Sequence, residues 1–266
     1  MSEREIDLLE GESLHRERIA LPEEVWFCIN VNGEPIVRLA ATPIDLKALA
    51  VGFLFYNGYI QSAEEIAAFH LSEAPCADVW LTHAVAPLHG TPLLTSGCGQ
   101  GVVFDELYAP LQPIRKHLRF DPRRLPTMLA AMQQAATHYR RSHGLHVSAL
   151  FTAEGRMLAV AEDIGRHNTL DKLIGYLLLQ EVQEASILLT TGRISSEMIS
   201  KAARMGLPLV ATLKTLSSLA VEMAERWGIT ALGHITARRM RLYTHPYRLR
   251  LEGSPSPPPA PTPAGG

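Results

Sequence analysis

One of the chain's cysteines sits in a setting unlike the other two. Cys98 lies in Thr95-Ser96-Gly97-Cys98-Gly99-Gln100-Gly101, with three glycines around a single thiol. Glycine lets the backbone turn tightly and leaves the sulfur sterically open. Sulfur transfer asks for such a group: an accessible thiolate that attacks a persulfide, holds the outer sulfur and swings to an acceptor. The bland alternative is an incidental turn residue. Cys28, inside the apolar run Val25 to Val31, reads as a buried structural thiol, and Cys76 as structural or incidental.

Two further stretches carry polar chemistry at strand-to-helix junctions. Thr190-Thr191-Gly192-Arg193-Ile194-Ser195-Ser196 and Lys214-Thr215-Leu216-Ser217-Ser218 each combine hydroxyls, a cation and the free amides of a helix start. That combination favours a phosphate or another anion, against the plainer reading of helix caps and solvated cations. Glu162 to Lys172 is the densest polar run before a helix. His167 within it is a proton shuttle or a scaffold residue, and spacing leaves both open. His15-Arg16-Glu17 and Pro75-Cys76 superficially match zinc deaminase motifs, but position 79 is valine, and no Cys/His set has structural zinc spacing. No zinc is expected.

The elements that must position these residues follow from patterning. Residues 1–22 form a charged arm or edge strand. Residues 25–31 and 35–40 flank Asn32-Gly33, a strong hairpin signal. A helix follows, with Thr42 as cap, Pro43 at its first position and Gly58 at its end. A strand is expected at 78–82 and one long helix from Arg124 to Arg141. From Val147 onward a hairpin leads to a helix at Asn168–Leu179. Strands at 186–191, 207–213 and 229–236 then alternate with helices at 195–205 and 217–227, which implies a mostly parallel sheet covered by helices. No internal repeat stands out. The Pro-rich tail from Gly253 is expected to be disordered.

Composition closes off several classes. The net charge of −2 excludes a protein that coats nucleic acid. Acidic residues crowd the first two dozen positions, while Arg238, Arg239, Arg241, Arg248 and Arg250 cluster near the end. No stretch reaches the roughly 18–20 apolar residues of a membrane span. The charged N-terminus has no apolar signal core, so secretion is not expected. Three cysteines are too few and scattered for a disulfide framework, which suits a reducing cytoplasm.

Taken in order, the motifs resemble one family. Glu162-Asp163-Ile164-Gly165-Arg166-His167-Asn168 with Asp171-Lys172 is similar to the signature of the FdhD family, formate dehydrogenase accessory sulfurtransferases. Thr42-Pro43 with Asp45-Leu46 and the helix to Gly58, Ser96-Gly97-Cys98-Gly99, Gly192 to Glu197, Ser217 to Val221 and Gly233 to Tyr243 follow in that family's order. The resemblance spans roughly residues 22–246. It implies a cytidine deaminase-like mixed α/β sheet with flanking helices, plus a smaller N-terminal α+β portion. The implied division is an arm at 1–22, an N-terminal portion at 23–145, a cofactor-binding portion at 146–250 and a tail at 251–266.

The resemblance also implies a role. Cys98 would accept sulfur from a cysteine desulfurase and pass it to the molybdenum of the bis-guanine-dinucleotide cofactor, Mo-bis-MGD, for formate dehydrogenase or a related molybdenum or tungsten oxidoreductase. A cytoplasmic homodimer is expected. The cofactor's guanine nucleotide would lie against His234, Ile235, Thr236, Ala237, Arg238 and Arg239, with Arg193 and Lys214 at the two anion loops. Two departures stand out: Gly101 replaces a second loop cysteine, and Thr236 replaces a frequent arginine. The first leaves room for an alternative, a molybdenum-cofactor chaperone without sulfur transfer.

Overall fold

A computed structural model describes residues 2–85, 92–94, 102–104, 112–180 and 182–251. The N-terminal segment folds back on itself as β1 (Ser2–Glu10) and β2 (Ser13–Leu21), a ribbon paired with no other strand among the described residues. The Asn32-Gly33 hairpin forms as its turn chemistry requires, between β3 (Val25–Val31) and β4 (Glu34–Ala41), with φ of 51° and 89° at the two turn residues.

Next come α1 (Leu46–Tyr56), β5 (Ile66–Leu71) and β6 (Cys76–Leu81). The small sheet runs β4-β3-β6-β5, and α1 covers its inner face through Leu49, Ala50 and Leu54 against Phe27, Ile29 and Val79. The helix starts later than its capping signal suggested. Asp45 is the N-cap, and Thr42 makes long-range bonds instead: its Oγ1 accepts from Ile164 N at 3.0 Å and its own N–H donates to Asp163 at 3.2 Å. A second correction concerns the cysteines. The turn of chain between β3 and β6 lays these strands parallel, Cys28 opposite Cys76, and the two are joined by a disulfide with Cα atoms 4.5 Å apart. A separation of 48 residues gives no hint of that pairing.

Beyond the short strands β7 (Pro92–Leu94) and β8 (Val102–Phe104), the expected long helix is two, α2 (Leu125–Ala135) and α3 (Thr137–Ser142). The break has a cause in the tertiary structure. The carboxylate of Glu162 accepts the N–H groups of His138, at 3.3 Å, and Tyr139, so it caps a new helix at the point of interruption.

The large sheet is built from β9 (His146–Phe151), β10 (Met157–Asp163), β11 (Ile187–Thr190), β12 (Leu209–Thr212), β13 (Thr230–Gly233) and β14 (Arg241–Leu242), in the order β10-β9-β11-β12-β13-β14. It is mixed, not mostly parallel. Only β11, β12 and β13 run parallel, because only they are linked by helical crossovers: α5 (Ser196–Arg204) and α6 (Ser218–Arg226). Those helices and α4 (Arg166–Leu178) cover one face, while α2 covers the other.

The two sheets meet where α1 crosses α4. A Cβ on Gly52 would lie 1.8 Å from the carbonyl oxygen of Asp171, and one on Gly175 would lie 2.1 Å from that of Ala48. Each helix therefore presents a glycine to the other's backbone, and nothing flexible can move aside. Gly52→Ala should destabilise the chain by about 3 kcal/mol or more, measured by urea unfolding. A cost under about 0.5 kcal/mol would show that the helices separate freely.

Candidate functional site

The signature run begins as structure. Asp163, fully buried at the end of β10, accepts four hydrogen bonds: from Thr42 N at 3.2 Å, Gly165 N at 2.8 Å, Asn168 Nδ2 at 2.8 Å and Lys172 Nζ at 2.7 Å. Lys172, also fully buried, gives its other protons to the carbonyls of Glu162 at 2.8 Å and Thr42 at 3.4 Å. Asn168 reaches the carbonyl of Ala40 at 2.9 Å. These bonds hold the start of α4 against the end of the β3–β4 hairpin.

The loops that carry cations gather at the carboxyl edge of the three parallel strands, where α/β sheets bind ligands. Ile194 and Leu216 form a parallel bridge, Ile194 N donates to Thr215 O at 3.0 Å, and Ser217 N donates to Ile194 O at 3.0 Å. The loop after β13 joins them through His234 N and Lys214 O at 2.7 Å. Gly233 permits that approach, since a Cβ there would sit 2.8 Å from the same carbonyl. Thr236 Oγ1 accepts the amides of Arg239 at 3.0 Å and Arg238 at 3.4 Å, closing a tight turn.

The edge thus brings together Arg193 and Lys214, both exposed, with His234 half-buried in a left-handed conformation, φ 50°. Thr236, Ala237, Arg238 and Arg239 are exposed beside them. Ile235 differs: its side chain is buried in the core beneath the sheet, so its contribution to the edge is backbone. Cys98 lies outside the described residues. His15 and Glu17 are exposed on the ribbon, and among the described residues no group of three or more His, Cys, Asp or Glu is placed to hold a metal ion.

A buried polar chain runs inward from this edge. His167 Nε2 lies 3.3 Å from Ser195 Oγ and 3.5 Å from Glu197 Oε2. Glu197 pairs with Lys201 Nζ at 3.1 Å, and Lys201 with Asp171 at 2.8 Å. Burial, aided by Lys201, Arg166 and His146 against the opposing pull of Glu197, lowers the His167 pKa to about 4. Burial raises that of Asp171 to about 6, although Lys201 pulls the other way. One ammonium faces two buried carboxylates. His146, at the start of β9, is lowered by burial and by Arg166; it lies 3.5 Å from where Gly192 would carry a Cβ. The antiparallel pairing of β9 with β11 puts it there, and no local motif announces it.

Fold and edge define a class: a mixed α/β protein whose basic and hydroxyl-bearing loops converge at the carboxyl ends of parallel strands. The model of the FdhD/NarQ family matches residues 22–250, and the chain belongs to that family. Sulfur carrier protein FdhD of Saccharolobus solfataricus is 31% identical over 219 residues, covering 81% of this chain and 84% of that protein. The Bacillus subtilis protein of the same name is 32% identical over 227 residues, covering 83% and 86%. A crystal structure described as that of a formate dehydrogenase accessory protein, from Desulfotalea psychrophila, matches with a TM-score of 0.79 over 94% of this chain and 99% of that one. At 24% identity it shows a shared fold.

The buried chain gives a pH prediction. Neutral His167 contributes stability that is present above 6.5 and is lost as pH falls toward 4. Asp171 has the opposite sign: its contribution is present below 3.8 and is lost as pH rises toward 6. Between those limits the two offset. Asp171→Asn removes one of them, so its unfolding free energy relative to wild type should fall by about 1.4 kcal/mol per pH unit on acidification from 6 to 4. Urea titrations across that range test this. A constant difference would show that Asp171 does not titrate in that range.

Proposed function

We propose that this chain is the sulfur carrier of a molybdenum-enzyme maturation step. Cys98 takes sulfur from a cysteine desulfurase: its thiolate attacks the outer sulfur of the donor's persulfide, one S–S bond forms as the other breaks, and the donor leaves as a thiolate. The sulfur then passes to the molybdenum of Mo-bis-MGD, carried as cargo for formate dehydrogenase or a related molybdenum or tungsten oxidoreductase. Membership of the FdhD/NarQ family carries this reading, with relatives named sulfur carriers over more than four-fifths of the chain.

The cargo's guanine dinucleotide suits the carboxyl edge of β11 to β13. Arg193, Lys214, Arg238 and Arg239 supply cations there, and His234 and Thr236 supply polar groups on a turn closed by its own hydrogen bonds. The chain works as a cytoplasmic homodimer in this reading. Gly101, in the place of a second loop cysteine, favours one rival: a chaperone that holds the cofactor without moving sulfur.

Mass spectrometry after incubation with a cysteine desulfurase and cysteine separates the two. One sulfur added at Cys98 supports the carrier; an unmodified Cys98 supports the chaperone. Cys98→Ala should abolish loading and client activation while the chain stays folded, and Cys28→Ala and Cys76→Ala should load normally. Full client activity with Cys98→Ala in cells would refute sulfur transfer.

The edge has its own test. A charge-assisted phosphate contact contributes roughly 1.5–3 kcal/mol. Arg193→Ala or Lys214→Ala should therefore weaken GDP binding about 10- to 100-fold in calorimetry, with Cys98 loading unchanged. Unaltered affinity in both would move the cofactor off this edge.

A further inference from the structure

Two successive units of the large sheet repeat one backbone arrangement, a correction to the expectation of no internal repeat. Each residue of β11 pairs with the residue 22 positions on in β12, from Ile187 with Leu209 to Thr190 with Thr212. The register persists through the loops to Ile194 and Leu216. Helices α5 and α6 both span nine residues, and Gly206 and Gly228 follow them with φ of 66° and 67°. Even the strand ends agree: Thr190 Oγ1 accepts Gly192 N at 3.2 Å, and Thr212 Oγ1 accepts Lys214 N at 3.0 Å. With the backbone repeated so closely, differences between the units come from side chains.

The hydroxyls at the helix starts differ. Ser217 caps α6, its Oγ accepting Ala220 N at 3.3 Å. Ser195 holds the same place before α5 but makes no capping bond; its Oγ lies 3.3 Å from His167 Nε2. The neighbours differ in step. Helix α5 has Glu197 and Lys201, both buried, where α6 has Leu219 and Met223. The polar chain ending at Ser195 belongs to one copy only.

Neutral imidazole carries one N–H. Nε2 faces both the serine oxygen and a carboxylate of Glu197 that is paired with Lys201. A carboxylate in such a pair only accepts, so the proton belongs on Nε2. On Nε2 it faces Ser195 Oγ at 3.3 Å and Glu197 Oε2 at 3.5 Å. Ser195 is then the acceptor, and its own hydroxyl proton is left to donate elsewhere. This arrangement cannot make His167 a base for the serine, because the lone pair that would be needed is on the other nitrogen.

We infer that Ser195 Oγ–H is a hydrogen-bond donor to a phosphate oxygen of the nucleotide at this edge, with His167 as the positioning residue that turns the hydroxyl away from its helix. The inference rests on the placement of the cofactor given above. It assigns a neutral donor beside the cations, one that reads an acceptor oxygen and does not titrate with it.

GDP serves as the probe, in calorimetry with the full-length chain. Ser195→Ala should weaken GDP about 10-fold, as loss of a hydrogen bond to a charged group does, with Tm unchanged because no cap is lost. Ser217→Ala should instead lower Tm by about 2–4 °C. His167→Gln keeps a donor near the Nε2 position and should retain affinity; His167→Leu should match Ser195→Ala. Nitrogen NMR of the histidine ring should report Nε2–H. Ser195→Ala binding GDP within twofold of wild type, while Arg193→Ala weakens it, overturns the donor and leaves the cofactor site standing. If neither has an effect, the cofactor site itself is wrong. An Nδ1–H tautomer, or a Tm loss in Ser195→Ala equal to that in Ser217→Ala, also overturns the inference.

Discussion

The buried pair of Asp163 and Lys172 is the joint on which the two halves of the fold depend. A carboxylate taken out of water is tolerable only if its lone pairs are filled, and an ammonium only if its protons are placed. Both conditions are met here by partners from three separate stretches: Thr42 after the β3–β4 hairpin, Glu162 to Gly165 at the end of β10, and Asn168 with Lys172 on α4. No subset of those stretches satisfies the pair alone. Its contribution is therefore to the uniqueness of the arrangement: any other docking of hairpin on helix strands a charge. The glycine crossing of α1 and α4 works beside it, since closeness there is what brings Thr42 within reach.

That joint accounts for most of the signature that points to the family. Asp163, Gly165, Asn168 and Lys172 are engaged in docking, and Glu162 caps α3 through its side chain. Only Arg166 and His167 turn toward the sheet edge, where His146 and Gly192 meet them. A motif can thus be diagnostic of a family without being its reactive centre. Here it builds the floor on which the ligand loops stand, and the same helix that locks the halves together carries the histidine that reaches Ser195.

How much was legible follows the range of each signal. Local chemistry was readable: Asn32-Gly33 as a turn, Gly58 as a helix end, and the βα alternation after Ile187 all appear where the residues said. Long-range partners were not. Thr42 looks like a cap by composition and serves as a tether; Ala136 looks like mid-helix, and a carboxylate 26 positions on breaks it there. The Cys28–Cys76 bond depends on a parallel pairing that no spacing encodes. At the site, the cations of Arg193 and Lys214 could be gathered from sequence because strand-to-helix loops share one edge; Arg238 and Arg239 sit instead on the turn between the antiparallel strands β13 and β14. Glu197 and Lys201 could not, since charged residues on a helix read as its solvated face until α4 is packed over them.

The 22-residue copy explains why so polar an interior survives in one helix and not the next. Helix α6 flanks the sheet with one side open: Leu219 is half-exposed and its serine does ordinary capping work. Helix α5 lies between α4 and α6, so any charge on its inner face must find a partner within the protein. Glu197, Lys201 and Asp171 find each other, and Tyr56 lays its ring 4.6 Å from the ammonium. The Lys201 ammonium lies against both carboxylates, 3.1 Å from Glu197 and 2.8 Å from Asp171. Paired with Lys201, the Glu197 carboxylate puts the His167 proton on Nε2, and that proton turns Ser195 outward. A packing position deep in the sheet's cover thereby decides what a hydroxyl at its edge can offer a ligand.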